Sequence, residues 1–148
     1  MQVLGMAGHL IRRLNQQSTQ LFVQRTTAAG FDVTPVQFSA MDAIHARPGV
    51  DQSEVAEKIG YDRATIGGVI DRLEKKGWVQ RVVSARDRRS RELSLTTEGA
   101  LMREQLLPIV WALQADILQP LSTAEQSFFM HLARRALDLQ EGPSDHNS

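Results

Sequence analysis

The chain has 148 residues, of which 42% are hydrophobic and 23% charged, with 17 basic and 17 acidic side chains and no cysteine. That composition is globular rather than disordered, and the length fits about one domain able to bury roughly two thirds of its unfolded surface. The missing cysteine excludes a disulfide scaffold, a thiol nucleophile, a CxxC zinc site and a thiol redox sensor.

Helical spacing dominates the chain from its start. Leu10, Leu14, Leu21 and Phe22 recur with a 3.6-residue period over about 6–29, and Gly30 ends that segment. Thr34 before Pro35 is a good helix start; Phe38, Ala40, Met41 and Ile44 form the inward stripe of the second helix, which Pro48-Gly49 stops. A short helix begins at Asp51 or Gln52, turns Val55, Ala56 and Ile59 inward, and breaks at Gly60. Asp62 caps a fourth helix in which Ile66, Val69, Ile70 and Leu73 fall at i, i+3, i+4 and i+7, with Lys75 and Lys76 in the last turn and Gly77 behind it.

The period then changes. Residues 78–83 read as one strand and 91–95 as a second, joined by a long basic tip, Ser84-Ala85-Arg86-Asp87-Arg88-Arg89-Ser90. After Thr96-Thr97-Glu98-Gly99 a long helix carries Met102, Leu106, Ile109, Val110, Leu113 and Ile117, with a kink expected at Pro108 and an end at Pro120. Ser122-Thr123-Ala124-Glu125 matches a capping box for a last helix with Phe128, Phe129, Leu132 and Leu137. Residues 142–148 are expected to be a disordered tail. The longest apolar run, 106–113, is far short of the ~18 residues of a membrane span. Arg12 and Arg13 follow the first apolar stretch instead of preceding it, unlike a secretion signal. A soluble cytoplasmic protein with no membrane partner is expected.

The neutral total hides a basic block. Residues 1–62 carry five basic and six acidic side chains, 63–91 carry nine and three, and 92–148 carry three and eight. A positive surface between two negative ones suits a polyanion. It coincides with a short helix, a tight turn, a second helix and a hairpin: a winged helix-turn-helix. With the apolar stripe of the fourth helix set inward, Ala64, Gly67, Gly68, Asp71 and Lys75 point outward at about 100° per residue, flanked by Arg63, Thr65 and Arg72. Such a small, polar surface can lie deep in a major groove about 12 Å wide. Arg63 suits a guanine edge and Thr65 a base; Arg72, Lys75 and Lys76 suit phosphates. Two glycines inside a helix cost about 1 kcal/mol each against alanine, so Gly67-Gly68 calls for a reason: close approach to DNA or tight helix packing. Arg86, Arg88 and Arg89 on a narrow tip suit the minor groove, with Asp87 as an orienting partner for Arg72 or a neighbouring wing arginine.

The joint order and spacing of several stretches resemble the MarR (multiple antibiotic resistance regulator) family over about 8–138. They are Thr34-Pro35-Val36-Gln37-Phe38, Gln52-Ser53-Glu54-Val55-Ala56, Asp62-Arg63-Ala64-Thr65-Ile66, Val69 through Val79, Asp87-Arg88-Arg89 and Leu95-Thr96-Thr97-Glu98-Gly99. The resemblance implies a mainly α fold with a small β-hairpin wing. It implies a DNA-binding lobe at 34–99 between dimerisation helices at 1–33 and 100–141, within a single domain 1–141. It also implies a homodimer on a palindromic double-stranded operator, usually a repressor released by a small ligand, with Ser53 among the DNA-facing positions. The dimer has independent support, because Leu106, Ile109, Val110, Trp111, Leu113, Phe128 and Phe129 exceed what a winged core of about 60 residues covers.

Gly8 through Leu14 and the Thr34–Phe38 stretch resemble a subgroup of that family responding to aromatic carboxylates. His9 and Arg13 share a helix face at i, i+4; with Phe38 and Met41 they would suit a carboxylate on an aromatic ring. Equally, Arg12 and Arg13 suit the dimer interface or surface salt bridges, and His9 a satisfied polar contact. His9, His45, His131 and His146 are scattered, so no metal site is expected. Without a Ser/His/Asp grouping or a Gly-rich phosphate loop, neither enzyme chemistry nor a cofactor is expected. The competing function is a winged-helix protein-interaction module without sequence-specific DNA binding.

Overall fold

Side-chain caps set most of the helix starts. In the computed structural model, which describes residues 1–139, Thr34 caps α2 (Pro35–Ala46) in a reciprocal capping box with Gln37, and Pro35 occupies the first turn. Asp51 caps α3 (Gln52–Ile59), and Asp62 caps α4 (Arg63–Lys75) by accepting the Thr65 amide. Thr96 caps α5 (Thr97–Ile117), and Ser122 with Glu125 forms the expected capping box of α6 (Thr123–Ala136). Only α1 (Ala7–Ala28), preceded by a 3-10 turn at Gln2–Gly5, starts without a side-chain cap. The tail expected at 142–148 lies outside the described residues.

The basic hairpin is β2 (Val79–Val83) against β3 (Arg91–Leu95), antiparallel, running from Val79 opposite Leu95 to Val83 opposite Arg91. The sheet has a third strand the sequence did not announce. Val50–Asp51, here β1, pairs antiparallel with β3 through Val50 opposite Leu93, giving the order β1-β3-β2. Pro48-Gly49 therefore does more than stop α2: Gly49, with φ +89°, donates its amide to the Leu93 carbonyl at 2.8 Å and starts the pairing.

One core joins these pieces. Ala40, Met41 and Ile44 from α2, Val55 from α3, Ile66, Ile70 and Leu73 from α4, and Leu93 from β3 are each 0% exposed. At roughly 1.5–3 kcal/mol per buried large apolar side chain, this cluster orients α4 so that its other face looks outward. Below the lobe, α1 lies along α5. Arg25 pairs with Asp116 at 2.6 Å, and Arg103 grips Asp42 of α2 through two nitrogens at 3.0 and 2.7 Å. α5 continues as one helix past Pro108 and ends at Ile117, short of Pro120. α6 is tied to its end by Gln126, whose side-chain amide donates to the carbonyls of Leu118 and Leu121. No residue of α6 is buried, and Trp111 of α5 and Phe128 of α6 are 70% and 61% exposed. Among the described residues, no helix is long and apolar enough to cross a membrane.

Candidate nucleic-acid interface and the neighbouring cleft

The turn between α3 and α4 aims α4. Gly60, in the left-handed region at φ +74°, ends α3, and Asp62 begins α4 two residues later. The Asp62 carboxylate accepts the Thr65 amide at 2.7 Å and the Thr65 hydroxyl at 2.8 Å, and these bonds hold its carboxyl below the usual aspartate value. The Thr65 hydroxyl is therefore engaged within the helix, leaving its methyl group as the more available contact. Arg63, Ala64, Thr65, Asp71, Arg72 and Lys75 are all exposed, opposite the buried Ile66, Val69, Ile70 and Leu73.

The paired glycines differ. A Cβ at Gly67 would stand 3.1 Å from the side-chain nitrogen of Gln52, so its small size makes room for α3. A Cβ at Gly68 would meet nothing nearer than Arg72 at 3.9 Å, so no packing explains that glycine. A side chain at Gly67 would thus crowd Gln52, whereas Gly68 has open space around it.

Gln52 belongs to a network the sequence did not reveal. Arg81 of β2 pairs with Asp71 of α4 at 2.7 Å and donates to the Gln52 side-chain oxygen at 3.3 Å. One guanidinium thereby joins wing, α3 and α4, and it pairs with Asp71, one of the two exposed acids of α4. The pairs Arg81–Asp71 and Arg81–Gln52 lie 10 and 29 residues apart and meet only when the hairpin folds back, so local spacing held no sign of them.

At the wing tip, Arg86, Arg88 and Arg89 are exposed. The buried Ser84 hydroxyl accepts the amides of Arg86 and Asp87, and the Asp87 carboxylate accepts the Arg89 amide at 3.0 Å. Asp87 therefore shapes the turn through the backbone, rather than by the bond to an Arg72 or wing guanidinium that the sequence suggested. A cleft of about 380 Å³ at the wing base brings Ser53 together with Arg81, Asp87, Arg89 and Arg91. Lys76 departs from its expected phosphate role, because its ammonium is turned inward to the Asp32 carbonyl and the Gln37 side chain.

A larger cleft of about 900 Å³ opens between α2, α5 and α6, walled by Phe38, Asp42, Trp111, Gln114, Phe129 and Arg134 among others. Of the residues proposed for an aromatic acid, only Phe38 reaches it. Met41 is sealed in the core at 0% exposure. His9 is half-buried and Arg13 exposed on the first turns of α1, and neither lines the cleft, although Ser18 of the same helix does. Trp111 and Phe129, expected only as dimer surface, and Arg134 line it instead, because apolar residues at helical spacing do not tell a cleft wall from an interface. Among the described residues no group of His, Cys, Asp and Glu is arranged to hold a metal.

Known proteins match this architecture. Residues 31–90, which hold α2 to the wing tip, fit the sequence profile of the MarR family. The transcriptional regulator HosA of Escherichia coli O127:H6 is 33% identical over 132 residues, covering 89% of this chain and 95% of HosA. The crystal structure of the PcaV transcriptional regulator from Streptomyces coelicolor with its natural ligand superposes with a TM-score of 0.84 at 33% identity, covering 95% of this chain and 98% of PcaV. A mutant of MarR from E. coli, complexed with operator DNA, superposes with a TM-score of 0.82 at 26% identity, covering 93% and 98% of the two chains. With its capped helix pair, arginine wing and these likenesses, the chain belongs to the MarR family of winged-helix transcriptional regulators.

Proposed function

We propose that the protein is a homodimeric repressor of a catabolic or efflux operon, released from a palindromic double-stranded operator by a small aromatic carboxylate or phenol. The observation that carries the DNA part is the outward face of α4. It is small, polar and cationic, it needs no side chain at Gly68 for packing, and a three-arginine tip stands beyond it. MarR, with the same fold, is complexed with operator DNA. In this proposal Arg63, Ala64, Thr65 and Gly68 face base edges, with Gly67 letting α4 sit close to α3. Ser53, Arg72 and Lys75 take phosphates, and Arg86, Arg88 and Arg89 enter the minor groove from a turn shaped by Asp87. The exposed apolar faces of α5 and α6 pack against a second copy, placing two α4 helices on half-sites about one DNA turn apart.

The effector part rests on the 900 Å³ cleft and on PcaV, whose structure holds its natural ligand. Phe38, Trp111 and Phe129 offer ring surfaces and Arg134 a guanidinium for a carboxylate. His9, Arg13 and Met41 lie outside the cleft and take no part in this reading, while Phe38 packs against Phe22 at 6.3 Å between ring centres. The test is fluorescence anisotropy on DNA from upstream of the protein's own gene, across a salt series, then with added benzoate, 4-hydroxybenzoate and protocatechuate. The proposal expects tight binding that weakens steeply with salt, as counterion release from several phosphates requires, and release by one of the acids. Salt-insensitive behaviour with no sequence preference would support an interaction module instead.

A further inference from the structure

Resting on the proposal that α4 reads DNA, we propose that Lys76 is a positioning residue that latches the C-terminal end of α4 to the start of α2, a helix that supplies Phe38 and Asp42 to the large cleft. Lys75 and Lys76 are neighbours with opposite fates. Lys75 is exposed, whereas the Lys76 ammonium donates to the Asp32 carbonyl and to the Gln37 side-chain oxygen at 3.2 Å, and lies 4.6 Å from the centre of the Trp78 ring. An ammonium has three donors and favours an aromatic face, so these contacts hold it in one place. Gln37 is itself fixed: it is buried, its side-chain oxygen also accepts the Thr34 amide, and it stands beside Phe38, which lines the cleft.

The start of α5, the helix that supplies Trp111 to the cleft, reaches the next two residues, Gly77 and Trp78. Thr96, the cap of α5, donates its hydroxyl to the Gly77 carbonyl at 2.6 Å and its amide to the Trp78 carbonyl at 3.0 Å. A Cβ at Gly99 would lie 1.9 Å from that Trp78 carbonyl, so the first turn of α5 approaches as closely as a backbone can. Lys76-Gly77-Trp78 is thus gripped by α2 and its preceding loop on one side and by α5 on the other. These helices also supply Phe38 and Trp111 to the cleft. A change in the spacing of α2 and α5 reaches α4 through this junction, and Lys76 is its one charged, side-chain-only link.

The test compares wild type, Lys76→Met and Lys76→Arg in the full-length protein. Methionine keeps apolar contact with Trp78 but donates nothing; arginine can still donate to both oxygens and cover the ring. Hydrogen exchange on the DNA-free protein should quicken in Lys76→Met at residues 72–77 and 31–34 together, stay unchanged in the rest of the core, and recover in Lys76→Arg. On DNA, Lys76→Met should bind about tenfold more weakly with the salt slope of wild type, because Lys76 touches no phosphate. A slope lower by about one would make Lys76 a phosphate contact and overturn the proposal. Uniformly faster exchange throughout the core would do the same, by reducing Lys76 to a general stabiliser. Failure of wild type to prefer any DNA sequence would sink the DNA proposal while the exchange measurement still decides the latch.

Discussion

α4 and α6 are amphipathic helices of 13 and 14 residues, each begun by a side-chain cap, yet they end in different surroundings. α4 buries Ile66, Val69, Ile70 and Leu73 within its own chain, whereas α6 buries nothing. The lobe around α4 finds every neighbour it needs between α2 and β3. α6 and the second half of α5 present Trp111, Phe128, Met130 and Leu132 to the outside, more apolar surface than a lone soluble chain usually shows. The same pattern of residues thus does two jobs. One face closes a core and thereby aims a polar surface outward; the other stays exposed, and it is there that the proposed second copy would pack.

The contrast is sharpest for truncation. Ile70→Ala should cost about 2–5 kcal/mol in urea unfolding, at any protein concentration, because its neighbours are in the same chain; dependence on concentration would blur the distinction. Phe128→Asp should weaken self-association by about 2–4 kcal/mol, read as a monomer in sedimentation with the helical circular dichroism of the lobe kept. A variant that sediments like wild type would place the second copy elsewhere. On the outward face of α4, Arg63→Ala should cost about 1–3 kcal/mol of operator affinity and relax preference at one base position; unchanged specificity would remove Arg63 from the base contacts. Gly68→Ala should raise stability by up to about 1 kcal/mol, since open space surrounds its missing Cβ, while weakening operator binding. If binding is untouched, close approach to DNA does not explain this glycine.

The smallest effect lies in the caps. Asp62 and Glu125 are both held below their usual values, Asp62 chiefly by the Thr65 amide and Glu125 chiefly by the Ser122 amide. Because the folded state favours the charged carboxylate, each contributes stability that is present above the unfolded pKa of ~4 and lost as pH falls through the lower folded value. Asp62→Asn should therefore flatten the acid limb of the urea-midpoint curve below about pH 4, and Glu125→Gln should flatten it independently. A limb identical to wild type would show that neither cap titrates with folding.

Local chemistry made much of this legible in the sequence. Thr34 with Pro35, Asp62 and Ser122 with Glu125 are capping signals that act within three residues, and all three hold. Ile66, Val69, Ile70 and Leu73 phased α4 correctly because a single stripe faces a single core. Hidden were the features made by distant pairing. β1 is two residues long and exists only because Leu93, over forty positions later, lies beside Val50. Arg81 with Asp71 needs the hairpin folded back on α4, Gln52 against Gly67 needs α3 packed on α4, and Lys76 with Gln37 needs α2 beside the end of α4. Met41 and Phe38 show the limit of periodicity: three residues apart on one helix, one is sealed in the core and the other lines a cleft.

The claim at the centre is that two copies of α4 read DNA together. Selection of the purified protein on a random-sequence duplex pool tests it directly. Paired reading by two α4 helices should enrich an inverted repeat with half-site centres ~10 base pairs apart, lost when Phe128→Asp replaces wild type in the same selection. A pool that stays random at low salt, or a single unpaired motif bound equally well by Phe128→Asp, would contradict it.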